Sequence, residues 1–247
     1  MKLTIITATF NSAANIAQCL QSVNSQTYTS VEHIIVDGAS TDETLEIIKT
    51  TPNRVTEIIS EPDKGIYDAL NKGIQKATGD VIGFLHSDDR LASPGILQMI
   101  AETFQKTAAD GIYGNLVFVN RDDKVVRTWI SEPFDKNEVR FGWMPPHPTL
   151  FLKKEVYRKK GLFDTGFSIA GDYEFMLRVM QDPGFRLEYI PEVITRMGVG
   201  GASTGNWRQL IRKSMEDMQA LTKNGFKFPV LVIIAKIGRK IPQLFKR

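Results

Sequence analysis

Strand-like and helix-like stretches alternate four times within the first 106 residues, and the strands are apolar along most of their length. Residues 2–8 (KLTIITA), 32–37 (EHIIVD), 55–60 (VTEIIS) and 81–89 (VIGFLHSDD) read as strands, and 15–25, 41–51, 66–78 and 94–106 as helices. Ile16, Leu20 and Val23 share one face of the first helix, and Thr41 with Thr44 and Glu46 offers a capped start to the second. Pro94 opens the fourth helix, at a position where the missing N–H costs nothing. Strands with no polar face must be covered on both sides, and strands joined through helices run parallel. The expected class is therefore α/β, with a mostly parallel sheet between helical layers.

That architecture predicts where ligands sit, because open α/β sheets bind them beyond the carboxyl ends of their strands. The polar residues found there are Thr7 to Asn11, Asp37 to Ser40, Glu61 to Lys64 and His86 to Asp89, and all four groups are predicted to converge on one cleft. Asp88 and Asp89 are adjacent carboxylates that repel each other, which leaves three readings: a helix cap, a turn or a cation site. Magnesium and manganese take carboxylates from one short segment and keep positions open for phosphate oxygens. Zinc would call for cysteines or clustered histidines.

Beyond about residue 110 the pattern changes. Residues 112–119 and 125–130 alternate like antiparallel strands around an RDDK turn, to which no chemistry is assigned. A proline-rich loop (WMPPHPT), a short strand (LFL), a helix at 154–160, a helix at 171–181, the strand LEYI and a glycine-rich loop (MGVGGASTG) follow. The 247 residues are 42% hydrophobic and 24% charged, enough for a sizeable core. The single cysteine, Cys19, excludes an internal disulfide and fits a reducing compartment, with a small buried core residue as its expected role. The start, MKLTIITATFNS, lacks a signal-peptide core, and no run approaches the ~18 apolar residues of a membrane span. A cytoplasmic protein is expected, with no nucleic-acid partner. Residues 208–247 hold ten Lys/Arg against Glu216 and Asp217, so this tail carries +8 and the rest of the +3 chain −5. A helix over 207–223 and an apolar-basic segment from Phe228 suggest either an anionic membrane surface, on the inner face of the plasma membrane, or packing on the body or a second subunit.

Four ordered blocks carry a family likeness: TATFNSAANIAQCLQSVNSQTY, HIIVDGASTDETLEII, SEPDKGIYDALNKGIQKATGDVIGFLHSDD and AGDYEFMLRV. In order and spacing they resemble the family-2 inverting glycosyltransferases, over roughly residues 2–205. The resemblance implies the GT-A fold, with residues 1–110 as the nucleotide-sugar-binding half, 111–206 as the acceptor-binding and catalytic half, and 207–247 as a basic amphipathic tail. It implies a nucleotide-sugar donor, usually a UDP-sugar, a divalent cation (Mn²⁺ or Mg²⁺), and a glycan or lipid-linked sugar acceptor in cell-surface polysaccharide assembly.

The same resemblance assigns roles. Asp172 matches the general base that takes the acceptor's proton; its alternative is an N-cap of the 171–181 helix. Asp88 and Asp89 match the metal-holding segment, although His86 stands where the family carries its first carboxylate; His86 is left to contact ribose or phosphate or to ligate the ion. Asp37 matches a base- or ribose-binding aspartate, Gly38 replaces a second one, and an Asx-turn is the equal alternative for Asp37. Thr7, Thr9 and Asn11, with Ser87, are expected on the nucleotide. Lys64 is expected on the diphosphate in place of an arginine that Leu70 replaces, and Asp68 on sugar hydroxyls. His147, Gly201 and Ser203 are expected on the acceptor side, and Arg196 is a candidate for the phosphates. A nucleotidyltransferase would need a glycine-rich basic loop after the first strand, and a dehydrogenase a G-x-G-x-x-G; neither is present. The remaining alternative is an inactive relative that binds nucleotide or glycan without transfer.

Overall fold

The computed structural model describes residues 1–199 and 207–239. One mixed sheet of nine strands runs through the chain. Its parallel part is β3 (Val55–Ser60), β2 (Val31–Asp37), β1 (Leu3–Thr9) and β4 (Val81–Phe84), in that spatial order. The sheet continues through β8 (Phe151–Lys153), β6 (Gly111–Val119), β9 (Leu187–Gly198) and β5 (Asp89–Leu91), with β7 (Val125–Trp129) paired to β6. β8 joins β4 and β6 antiparallel, whereas β6 and β9 are parallel.

Alternation along β1 shows how the sequence specifies two covered faces. Leu3 and Ile5 pack toward α1 (Ile16–Asn24), α2 (Thr44–Thr50) and α4 (Ile96–Lys106); Ile6 and Ala8 pack toward the opposite layer. That layer holds α3 (Ile66–Lys76), α6 (Lys154–Lys160), α7 (Gly171–Met180), α8 (Trp207–Lys223) and α9 (Pro229–Gly238). A short α5 (Lys136–Val139) precedes the proline-rich loop. β3 is the edge strand, and its residues alternate in burial rather than being covered on both sides.

Three boundaries differ by three residues or more from those read in the sequence, and α4 begins at Ile96, so Pro94 precedes the helix rather than opening it. β4 ends at Phe84, where the Leu85 amide donates the last ladder bond to Ile6; the chain then turns, and Asp89 begins β5, antiparallel to β9. α2 starts at Thr44 rather than Thr41, because Asp42 accepts from the Thr44 amide at 3.0 Å. β9 does not stop at LEYI but continues through Pro191 to Gly198. Between the pairs Tyr113–Tyr189 and Asn115–Val193 the register slips, and this irregularity admits a proline with no amide to donate.

Candidate active site

The strand ends do meet. The Asn11 amide donates to Ser40 Oγ at 2.8 Å, and the Thr41 amide to Asn11 Oδ1 at 2.9 Å, which ties the β1 end to the β2 end. Ser12 and Ser87 hydroxyls lie 2.9 Å apart, tying β1 to the turn after β4. Asn11 (φ 47°) and Ala39 (φ 61°) both adopt left-handed backbone here. Asparagine tolerates that conformation; for alanine it costs on the order of 1 kcal/mol, a strain located at the mouth of the cleft.

The predicted nucleotide residues separate into those that face this mouth and those that build its walls. Thr7 belongs to the walls: fully buried, its hydroxyl lies 3.0 Å from His33 Nε2, inside the α1 layer, so it is not on the cleft. Thr9 is nearly buried at the strand end, in register with Asp37. Asp37 is fully buried and forms the Asx-type turn: Oδ2 accepts from the Ser40 amide (3.0 Å) and the Ser60 hydroxyl (2.7 Å), and Oδ1 from the Ser40 hydroxyl. The carboxylate that reaches the cleft beside it is Asp63, which the sequence reading did not single out. A Cβ at Gly38 would lie 2.5 Å from Asp63 Oδ2 and 3.4 Å from the Phe10 ring. Phe10 is 60% exposed, an aromatic plate at the end of an otherwise buried strand. Lys64 is exposed; Asp68 accepts from the Lys64 amide at 3.0 Å and approaches Lys72 at 3.7 Å, so it braces the start of α3.

Asp88 and Asp89 point to different places. Asp88 is half-buried at the turn, and no ion pair reaches it among the described residues; burial raises its pKa. Asp89 is fully buried and shares a strand face with Leu91, which packs in the α1 and α4 core. Burial first, then Asp88, holds its carboxyl well above the ordinary carboxylate range. Strand alternation sets Asp89 on the Leu91 face behind the turn, where both its oxygens are buried without a hydrogen-bond partner among the described residues. His86 Nδ1 is buried with no hydrogen-bond partner among the described residues, and burial, then His147, pushes the imidazole down to about 4. An unprotonated imidazole and a half-buried carboxylate two residues apart fit a divalent cation shared with a ligand. No three His, Cys, Asp or Glu side chains form a complete metal site among the described residues.

The acceptor-side prediction for His147 places it next to this turn. It opens a 3-10 turn at His147–Thr149, stacks on Phe84 (ring centroids 5.8 Å apart) and lies 6.2 Å from the His86 ring. Asp172, in the first turn of α7, exerts its charge on both histidines. The Tyr67 hydroxyl has one proton to give, 2.7 Å from the Ile169 carbonyl and 3.1 Å from Asp172 Oδ1, so it ties α3 to the start of α7 with Asp172 beside it. Burial, then the Asp172 charge, raises the Tyr67 pKa, which keeps that hydroxyl a donor. A Cβ at Gly171 would stand 2.7 Å from the Tyr67 ring, so the contact requires glycine there.

Behind α7 the three amides of Ser168, Ile169 and Ala170 all donate to Glu216 Oε2, at 3.0, 2.8 and 2.9 Å. Neither this carboxylate nor Tyr67 carried a signal beyond ordinary helix composition. Arg196 does not reach the cleft: it pairs with Asp123 at 2.7 Å, as Arg90 does, and together they anchor the RDDK turn. Glu174 faces away from Asp172 and pairs with Arg178 and Lys223. Gly201 and Ser203 lie outside the described residues; a Cβ at Gly198 would be 2.8 Å from the Asp88 carbonyl, so β9 ends against the Asp88 turn.

Residues 4–171 match the family model described as Glycosyl transferase family 2. The chain belongs to this family. Among curated relatives, the glycosyltransferase is 34% identical over 180 residues to an uncharacterized glycosyltransferase of Mycobacterium tuberculosis, covering 71% of this chain and 68% of the relative. It is 30% identical over 194 residues to a PGL/p-HBAD biosynthesis glycosyltransferase of Mycobacterium bovis, covering 77% and 74%. Among solved structures, S. aureus TarS 1–349 in complex with UDP-GlcNAc superimposes with a TM-score of 0.73 at 15% identity, over 98% of this chain and 73% of that one. The mannosyltransferase PcManGT of Pyrobaculum calidifontis, in complex with GDP-Man and Mn²⁺, gives 0.68 at 19%, over 95% and 69%. The fold of the glycosyltransferase is therefore GT-A, with a helical C-terminal region.

Proposed function

We propose that this glycosyltransferase moves a sugar from a UDP-sugar to an acceptor hydroxyl with inversion, and that Asp172 is the general base. The observation that carries this reading is the seat of Asp172. It opens α7, its charge acts on His86 and His147, and its Oδ1 lies 3.1 Å from the Tyr67 hydroxyl. The Asp172 carboxylate accepts the proton as the acceptor oxygen bonds to the anomeric carbon. The nucleoside diphosphate departs from the opposite face, toward the Asp88 turn. Asp88, with His86 beside it, would hold Mn²⁺ or Mg²⁺; the ion supplies charge neutralisation of the departing diphosphate. At the other end of the cleft, the nucleobase lies on Phe10 with Asp63 as its hydrogen-bonding carboxylate, and Asp37 supports the turn from below. Lys64, Asn11 and Ser87 are assigned to the diphosphate and ribose, and His147 to the acceptor. Neighbours in complex with UDP-GlcNAc and GDP-Man, and a relative named for PGL/p-HBAD biosynthesis, support a nucleotide-sugar donor; a glycan or lipid-linked acceptor in cell-surface polysaccharide assembly completes the proposal.

Transfer and donor hydrolysis are measured with UDP-sugars and Mn²⁺ for wild type and Asp172→Asn. Loss of a positioned base lowers kcat by ~10²–10⁴-fold while donor KM stays near wild type. Equal turnover in the two proteins removes Asp172 from this role. Donor binding without turnover in wild type favours a binding protein that has lost transfer.

A further inference from the structure

The two C-terminal helices turn opposite chemistries inward and outward. Glu216 and Asp217 are the only acids between residues 207 and 247, and both are buried. Glu216 is engaged by the amides ahead of α7; Asp217 pairs at 2.9 Å with Lys236, whose ammonium also stands 3.3 Å over the Tyr173 ring. The outward faces of α8 and α9 are therefore without carboxylates. They carry apolar stripes at helical spacing, Leu210, Ile211 and Met215 on one helix and Leu231, Ile234 and Ile237 on the next. Nine of the eighteen large apolar side chains exposed among the described residues lie between Trp207 and Ile237, although this stretch is a small part of the chain. Scattered exposed apolar residues need no explanation, but a concentration of this kind marks a contact surface. Lys213, half-buried, and Lys227, exposed, stand among the stripes with no ion pair among the described residues, whereas Arg212, also exposed, reaches back to Glu216 at 3.3 Å and Ser168 Oγ at 2.6 Å.

Charge decides between the occupants. A second copy of this chain would bring two basic, acid-free faces together, and like charges across an interface oppose association. No helix among the described residues is long and apolar enough to cross a membrane. Apolar stripes flanked by Lys213 and Lys227, on two helices that expose no carboxylate of their own, match helices lying in the plane of an anionic bilayer. We propose that the outer faces of α8 and α9 dock on a bilayer bearing anionic lipid headgroups, with the stripes at the acyl boundary and the lysines among the headgroups. This deepens the transferase reading by placing the acceptor: α8 packs on α7, so the bilayer and the helix carrying Asp172 lie one helix apart, roughly 8–10 Å between axes. A lipid-borne hydroxyl would then approach the base from the surface on which the enzyme sits.

The test is flotation of the full chain with phosphatidylcholine vesicles and with vesicles containing phosphatidylglycerol, at low and high salt. Wild type is expected to float with the anionic vesicles alone and to release at high salt. Lys227→Glu weakens partitioning by about tenfold or more, since each basic residue near the surface is worth about fivefold. Leu231→Glu combined with Ile234→Glu abolishes it, and both variants keep the wild-type melting temperature. The proposal is overturned if wild type binds neither vesicle, if the variants float as wild type does, or if wild type is a dimer that the double variant dissolves while neither floats. The readout is binding, so an inactive protein that floats counts against the transferase reading alone, and an active one that does not float against this proposal alone.

Discussion

Glu216→Ala tests whether the C-terminal helices belong to the catalytic end of the molecule. One oxygen accepts three consecutive amides at 2.8–3.0 Å, and the side chain is 10% exposed. Each hydrogen bond to a charged group is worth about 1.5–3 kcal/mol, but three sharing one oxygen do not add, and water partly refills a truncated site. A net loss of about 3 kcal/mol follows, which for a chain of this size lowers the melting temperature by roughly 6–12 °C. Glu216→Gln keeps an acceptor and loses the charge, so it should cost about half as much. The same amides set the backbone into α7, and a displacement of about 1 Å at Asp172 lowers kcat by up to ~10²-fold with donor KM little changed. Thermal unfolding followed by circular dichroism, with kcat and KM on the same samples, reads both effects. An alanine variant that melts within about 1 °C of wild type would mean that solvent already satisfies those amides. A destabilised variant with wild-type kcat would separate the fold of α7 from the placement of its aspartate.

Two further outcomes follow from other sites. Gly38→Ala forces Asp63 Oδ2 to swing from the cleft about the oxygen that the Gly65 amide holds; because Asp63 is half-exposed, stability changes by no more than about 1 kcal/mol while donor KM rises and kcat holds, read by steady-state kinetics and a melt. Glu32 is drawn upward by burial, but hydrogen bonds from Lys2, Thr4 and Thr78 outweigh it and hold its carboxyl at about 2, below its ordinary 4.5. The folded-state value is depressed, so about 3 kcal/mol is present in full above pH ~4.5 and is lost as pH falls toward ~2; denaturant titrations of Glu32→Gln should lack that slope.

The parallel half of the fold was legible because each strand there is short, apolar and bounded by a helix with its own apolar face. α6 and α8 match the expected residues, since their boundaries coincide with changes in periodicity. What failed was local and has a physical cause. Pro191 reads as a strand end, because the sequence does not reveal the β6 irregularity that accommodates it. The faces of Asp88 and Asp89 stay hidden because adjacency in sequence says nothing about which side each carboxylate takes once a new strand begins between them. Asp37 was visible at its strand end, but whether it met a ligand or Ser40 and Ser60 depended on a turn that joins two strands. Phe10, Asp63 and Tyr67 act through contacts 25 to 105 residues away in sequence, which no local pattern records.

Cys19 offers a way to watch this molecule open. It is the only thiol, fully buried against β1, and burial pushes its pKa up to about 12. A thiol reagent in neutral solution therefore has nothing to attack until α1 lifts from the sheet, and the labelling rate becomes a clock for that event. Because Thr7, beside Cys19, and the cleft-lining Asn11 lie on one strand and the turn that follows it, donor bound at the cleft should slow the clock without touching the sulfur. The native sequence thus contains a single-site reporter of how tightly α1 is held on the parallel sheet, with no dye or engineered residue required.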